Sequence, residues 1–316
     1  MKLKGVEVLV LIFVLAGCKP GSGDHCPFQF QEDENGVLLT EKGNRVFCYR
    51  KSPKSLNGEY VCNHYIHPLY AINGDTLTEE FPPDHPYHRG IFWSWHQLYA
   101  DSLSLGDDWV MDGISHGVEC IHTCCHRNKA LLELKVIWKS FSRSEEMPFM
   151  EEMTRIEVHP LEKGMRTIDF TISLRALIPD LSIGGANNEK GYGGFCTRLK
   201  LPDDLSFVSE GGTVEPTTLQ LKAGSWMDIR GSFGASGRKS GITICCHPDT
   251  PNHPAPWILR KKSSMQNIVF PGRERVAISM EEPTVLRYRL IVHEGNTTGS
   301  GMARLQTEFE ETVFVQ

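Results

Sequence analysis

An all-β fold, in the form of a large antiparallel β-sandwich, is what this sequence predicts. Three observations lead there. Apolar and polar residues alternate over many short runs, Gly, Pro, Asn and Asp separate those runs, and helical periodicity is scarce. The chain has 316 residues. It shows no composition break and no repeat, so a single domain with more strands than an immunoglobulin domain is expected.

The first 17 residues read as a signal peptide. Lys2 and Lys4 precede the apolar stretch "VLVLIFVLAG", which is too short for a stable membrane span. Leu15-Ala16-Gly17-Cys18 has the form of a lipobox, which predicts cleavage before Cys18, its acylation, and a lipid-anchored place in the cell envelope. Residues 18–30, with "KPGSGDH", form a polar tether. Residues 31–316 form the single domain.

Within that domain "RVFCY" (Arg45 to Tyr49) is the first clear strand. "IFWSWHQLY" follows, with Ile91, Trp93 and Trp95 on one face and Phe92, Ser94 and His96 on the other. "CIHTCCHR" alternates as well. Its Cys120, His122, Cys124 and His126 extend over roughly 20 Å at strand rise, too far to surround one ion, so packing is the expected role. "ALLELKVIWKSF", "MEEMTRIEVHP" and "RTIDFTISLRAL" come next. In the last, Ile168, Phe170, Ile172 and Leu174 alternate with Thr167, Asp169, Thr171 and Ser173, the pattern of a half-buried antiparallel strand. "SGITICCHP" and "TVLRYRLIVHEG" continue the series, and the tail "ARLQTEFEETVFVQ" is the best helix, with Leu305, Phe309 and Val313 at four-residue spacing.

The formal charge of −6 and pI near 6.1 come without a basic stripe, which excludes nucleic acid as an expected partner. "LRKK" (Leu259 to Lys262) reads as a solvated strand end or turn. Of the ten Cys, lipidation of Cys18 leaves nine, an odd number that cannot all pair within one chain.

The densest polar cluster is "FPPDHPYHRG", Phe81 to Gly90. Its prolines stiffen the backbone, Asp84 can accept a backbone or imidazole N–H, and Gly90 permits a sharp entry into the aromatic strand. A stiff loop carrying His85, His88 and Arg89 is suited to a preorganised polar site. A structural knot pinned by Asp84 and Arg89 is the competing expectation. A second cluster, "GGANNEKGYGGF", offers Asn187, Asn188, Glu189 and Lys190 before a Gly-rich turn, and a third, "CCHPDTPNHPAPW", carries His247, His253 and Trp257. Three rigid polar loops converging on one cleft is the expectation.

"HPLYAINGDTLTEEFPPDHPYHRGIFWSW", with "NNEKGYGGFCTRL", "GSWMDIRG", "GITICCHPDTPNHPAPWILR" and "LRYRLIVHEG", resembles the bacterial family labelled PmoA-like, or methane oxygenase, from about His67 to Gly295. That family commonly has a third His where this chain has Tyr87. The resemblance implies an exported protein, often a lipoprotein. Methane oxygenation itself is not expected, because that chemistry belongs to an integral membrane assembly and no segment after the signal approaches a membrane span. The fold analogy that accompanies the resemblance is the galactose-mutarotase-like supersandwich, which implies a carbohydrate-active protein. On that analogy His85, His88, Glu189 and His247 are the catalytic candidates. Asp84, Arg89, Trp93, Asn188, Lys190 and Trp257 are the substrate-binding ones, and Trp95, Trp109 and Trp226 add further aromatic surface. Proton transfer, as in an epimerase or lyase, suits a Glu–His pair better than hydrolysis, for which a second carboxylate is hard to find. A non-catalytic glycan-binding lipoprotein is the alternative. A divalent metal held by His85 and His88, with His247 or Glu189 completing the site, is left open.

Overall fold

The computed structural model describes residues 26–126, 128–143, 145–295, 299–312 and 314. The expected signal peptide and Cys18 lie outside the described residues. Among those described, the strands form two large antiparallel sheets. One runs in the order Phe28–Glu32, Gly36–Glu41, Asn44–Arg50, Tyr65–Leu69, Ile91–Ser94, Gly194–Thr197, Gln266–Val269 and Trp257–Ile258. The other runs Ile114–His126, Lys129–Arg143, Glu145–Val158, Met165–Ala176, Thr284–His293, Ser240–Cys246, Trp226–Gly231, Ser206–Ser209 and Gly212–Thr213. A smaller sheet and the isolated hairpin of Lys54–Leu56 with Glu59–Cys62 flank them. The folded part begins earlier than residue 31, because Phe28–Glu32 already pairs with Gly36–Glu41.

Why these sheets stack follows from their alternation. Ile168, Phe170, Ile172 and Leu174 are fully buried and meet Leu286 and Leu290 of the neighbouring strand on the same inner face. From the opposite sheet, Trp93 and Phe195 stack with centroids 6.3 Å apart, and Phe195 reaches Phe170 at 5.2 Å and Tyr288 at 4.6 Å. Interdigitation of two inner faces is what defines a sandwich. Burying each such aromatic is worth about 2–3 kcal/mol.

The strand Ile91–Ser94 splits as its alternation predicts. Ile91 and Trp93 enter the inter-sheet core. Phe92 turns to the outer face, where Cys62, Tyr65, Trp109, Cys196 and Met265 cover it. That second cluster is the floor on which the candidate site rests. The tail helix is observed at Gly299–Glu310, a few residues earlier than expected. Met302 and Phe309 seat it against Trp226, Cys245 and Ile291 on the outer face of the second sheet. Val313 lies outside the described residues.

Candidate functional site

The loop from Phe81 to Gly90 is built by its own backbone. His85 N–H donates to the Pro82 carbonyl and His88 N–H to that of His85, two successive turns that the prolines prepare. The Phe81 N–H closes the loop on the His88 carbonyl, and Gly90 N–H donates to Glu79. At φ +48°, Gly90 admits no Cβ, which would lie 1.9 Å from the Ile66 carbonyl oxygen.

Asp84 ties this loop to two others. Its carboxylate accepts from Arg198 Nη1 and Nη2 at 2.9 and 2.7 Å, from Ser263 Oγ at 2.9 Å, and from the Ser264 N–H. Ser263 and Ser264 are both left-handed, at φ 59° and 68°, a strained pair that these bonds hold in place. Burial alone would raise the Asp84 carboxyl. The bonds from Arg198, His85, Ser264 and Ser263 outweigh it and hold the group well below the ordinary carboxylate range.

His85 Nδ1 donates to Asp84 Oδ2 at 2.9 Å. An ionised carboxylate can only accept, so this bond places a proton on Nδ1 and turns His85 Nε2 away from Asp84. His88 lies parallel beneath it, with centroids 4.7 Å apart and planes at 5°. Burial pushes the His88 imidazole down to about 2, helped by the nearby His85, so it stays neutral. Its Nδ1 is buried without a partner.

Around this pair opens a cleft of about 280 Å³. Tyr87, Trp109 and Tyr192 wall it, with Trp109 and Tyr192 edge to face at 4.8 Å and His96 stacked behind Trp109. Lys190, Arg260, Lys262, Ser263 and Ser264 complete the rim. Two of the three expected loops therefore converge, those carrying His85 and Lys190. The third contributor is the stretch Ile258–Met265, which includes the "LRKK" expected to be a solvated turn. Its cations were missed because a short basic run looks the same whether it faces water or a cleft.

Several candidates lie elsewhere. His247 is buried between Phe309 and Phe314 of the C-terminal tail, because the end of its strand faces the helix. Trp257 is a core residue that donates to the Gly224 carbonyl, and Trp93 is a core residue that donates to Glu152. Arg89 is sealed under the loop, over the Phe92 ring and 3.7 Å from Asp108. Asn188 and Glu189 are exposed and do not line the cleft, Asn188 instead accepting the Lys190 N–H to shape the turn. Asp84 is consumed by Arg198, Ser263, Ser264 and His85, so it positions the site without lining it.

A metal held jointly by His85 and His88 does not fit. Nitrogen lone pairs lie in the ring plane, and two parallel rings cannot aim them at one ion. Glu157, His159 and Asp169 come close enough together to chelate. Yet Asp169 is clasped by Arg289 at 2.6 and 2.9 Å and Glu157 by Lys129 at 2.7 Å, so this is a paired charge network.

A residue profile matches positions 36–307, most of the chain. The protein belongs to the family of unknown function DUF6807. This DUF6807 chain matches no curated protein. Among solved structures it is similar to the "Crystal Structure of a putative mutarotase (YeaD) from Salmonella typhimurium in monoclinic form", at 11% identity and a TM-score of 0.33, covering 84% of this chain and 94% of that one. The overlap is too loose to transfer any site residue, and the sandwich rests on the sheets described above.

Proposed function

We propose that the cleft is the active site of a carbohydrate-active enzyme that moves a proton at a sugar carbon, as an epimerase or lyase does. One observation carries this reading: a His whose tautomer is set by a carboxylate presents its free nitrogen to an aromatic-walled cleft. Aromatic faces suit the C–H surfaces of a sugar ring. A base of this kind takes the proton from a carbon beside a carbonyl, and the electron pair moves onto the carbonyl oxygen. Return of the proton to the other face inverts the carbon; departure of a substituent from the next carbon completes an elimination. His85 is the base, and neutral His88 supports it. No Asp or Glu lines the cleft among the described residues, so nothing supplies the flanking carboxylates of a glycoside hydrolase. The motif that carries the resemblance to PmoA-like proteins, "DHPYHRG", is the loop that holds this pair.

Incubation with a panel of aldoses, ketoses and sugar acids in D2O, followed by proton NMR, tests the proposal. Deuterium enters one carbon-bound position, and His85→Ala slows that exchange by about 10²–10⁴-fold. Binding without exchange, undiminished in His85→Ala, would instead identify a glycan-binding protein. We place the protein on a membrane through lipidated Cys18; Cys18→Ser moves it to the soluble fraction, and continued membrane association refutes the anchor.

A further inference from the structure

The cleft and the rest of the molecule differ in the sign of their charge. The chain carries a formal charge of −6, yet the cleft lining contains Lys190, Arg260 and Lys262 and no carboxylate. Lys261, one residue away, shows what a cation does here when a solvent-facing acid is in reach: it pairs with Glu215 at 2.6 Å. Arg260 is held differently. Its guanidinium donates to the carbonyls of Thr217 and Leu259 at 2.8 Å and of Thr218 at 3.1 Å, which position the group without neutralising it. Lys190 is fixed from the opposite side, its carbonyl accepting from Gln220 and its N–H donating to Asn188.

Holding three cations around a half-enclosed space is unfavourable unless something compensates them. The acids nearest the cleft are already engaged. Asp84 accepts from Arg198, His85, Ser263 and Ser264, and buried Asp108 pairs with Arg89 and His116. On the floor, the unpartnered Nδ1 of His88 is a further polar atom without a mate.

We infer that the ligand is an anionic sugar, a monosaccharide-sized polyol whose oxyanion is held by Arg260, Lys262 and Lys190. Its ring lies against Trp109, Tyr87 and Tyr192. The cleft volume, about 280 Å³, sits at the lower limit of roughly 300–1,000 Å³ for small-molecule pockets, so a single sugar unit suits it better than a long chain. This inference rests on the carbohydrate reading above and adds a chemical reason to it. If the oxyanion is a carboxylate next to the carbon that loses its proton, the same cations stabilise the charge that moves onto the carboxylate oxygens.

Calorimetry on the mature chain distinguishes the sources of the anion. A hexuronate, a hexose phosphate and the corresponding neutral hexose are titrated at low and at high salt. The hexuronate or the phosphate binds at least about tenfold more tightly than the neutral sugar, and the preference shrinks with salt. The double variant Lys190→Gln/Lys262→Gln removes most of that preference while leaving thermal stability unchanged, since both side chains lie at the rim of the cleft. Equal affinity for the neutral hexose, no binding of either anion, or a preference unmoved in the double variant overturns the inference. Deuterium exchange on the same samples separates the two readings. Exchange with neutral sugars alone removes the anion and keeps the enzyme, whereas anion binding without exchange does the reverse.

Discussion

Gly90 shows how a single backbone position can decide whether the site exists. It carries φ +48°, and a Cβ would lie 1.9 Å from the Ile66 carbonyl oxygen and 2.9 Å from the His67 Cβ. The near neighbour is backbone in a paired strand, so it cannot move aside. Gly90→Ala is therefore expected to cost roughly 3 kcal/mol or more, read as a lowered urea midpoint at unchanged slope; a wild-type midpoint would contradict this placement of the loop. Glu152 is the corresponding case for a side chain. Fully buried, it accepts from Trp93 Nε1 at 2.8 Å, Trp138 Nε1 at 3.0 Å and His64 Nε2 at 2.9 Å, and His64 Nδ1 in turn meets the Tyr49 hydroxyl. Both indoles donate to one oxygen, while His64 and the Thr154 hydroxyl meet the other, so an acceptor-only carboxylate serves all four. Glu152→Gln puts an NH2 against a donor and should cost about 3–5 kcal/mol in the same measurement.

At the scale of elements, the site is a joint between loops. Asp84 fastens residues 81–90 to Ser263 and Ser264 of the following basic stretch and to Arg198, which also holds Glu79 at 3.0 Å. Asp84→Asn keeps the size of the side chain but takes the charge from Arg198 and the fixed tautomer from His85. Limited proteolysis should then cut first within 81–90 or 260–264, and turnover should fall with kcat dropping more than KM rises. Protection equal to wild type would mean that the joint does not hold the loops. Much of this fold was legible in the sequence, because a period of two names the inner face directly: Ile168, Phe170, Ile172 and Leu174 are where their alternation puts them. The rigid "DHPYHRG" loop was legible from its prolines and glycine. What the sequence hid is which loops meet, since pairing across the sheet is non-local. His247 looks like His85 in composition, yet the tail helix covers it, and Arg260 looks like any solvated Arg until the strand before it is placed next to Gln266–Val269. Glu152 left a trace that went unused: in "MEEMTRIEV" it shares the inward face with Met150, Thr154 and Ile156.

For the molecule as a whole, buried ionisable groups make acid the natural denaturant. Burial pushes the His67 imidazole down to about 4 and that of His88 to about 2. An unfolded His titrates near 6.5, so below that pH the unfolded chain binds protons the folded one refuses. Stability contributed by these two groups is complete above about pH 6.5 and is lost as pH falls, through about pH 4 for His67 and further for His88. Each adds a slope of up to about 1.4 kcal/mol per pH unit within its window. The carboxylates act later. Burial raises Asp108, Glu152 and Asp169, but partners outweigh it in each case: His116 and Arg89 for Asp108, His64, Thr154 and Trp93 for Glu152, Arg289 and His159 for Asp169. All three are held below their usual range, so the stability they contribute is present above about pH 4 and is lost as pH falls below it. Urea midpoints measured against pH should therefore decline from about pH 6.5 and steepen below about pH 4. In a His67→Asn/His88→Gln double variant, which keeps polar groups that do not titrate, the decline between those two values flattens and the later, steeper one stays. A decline of undiminished slope in that variant would assign the first phase to other groups.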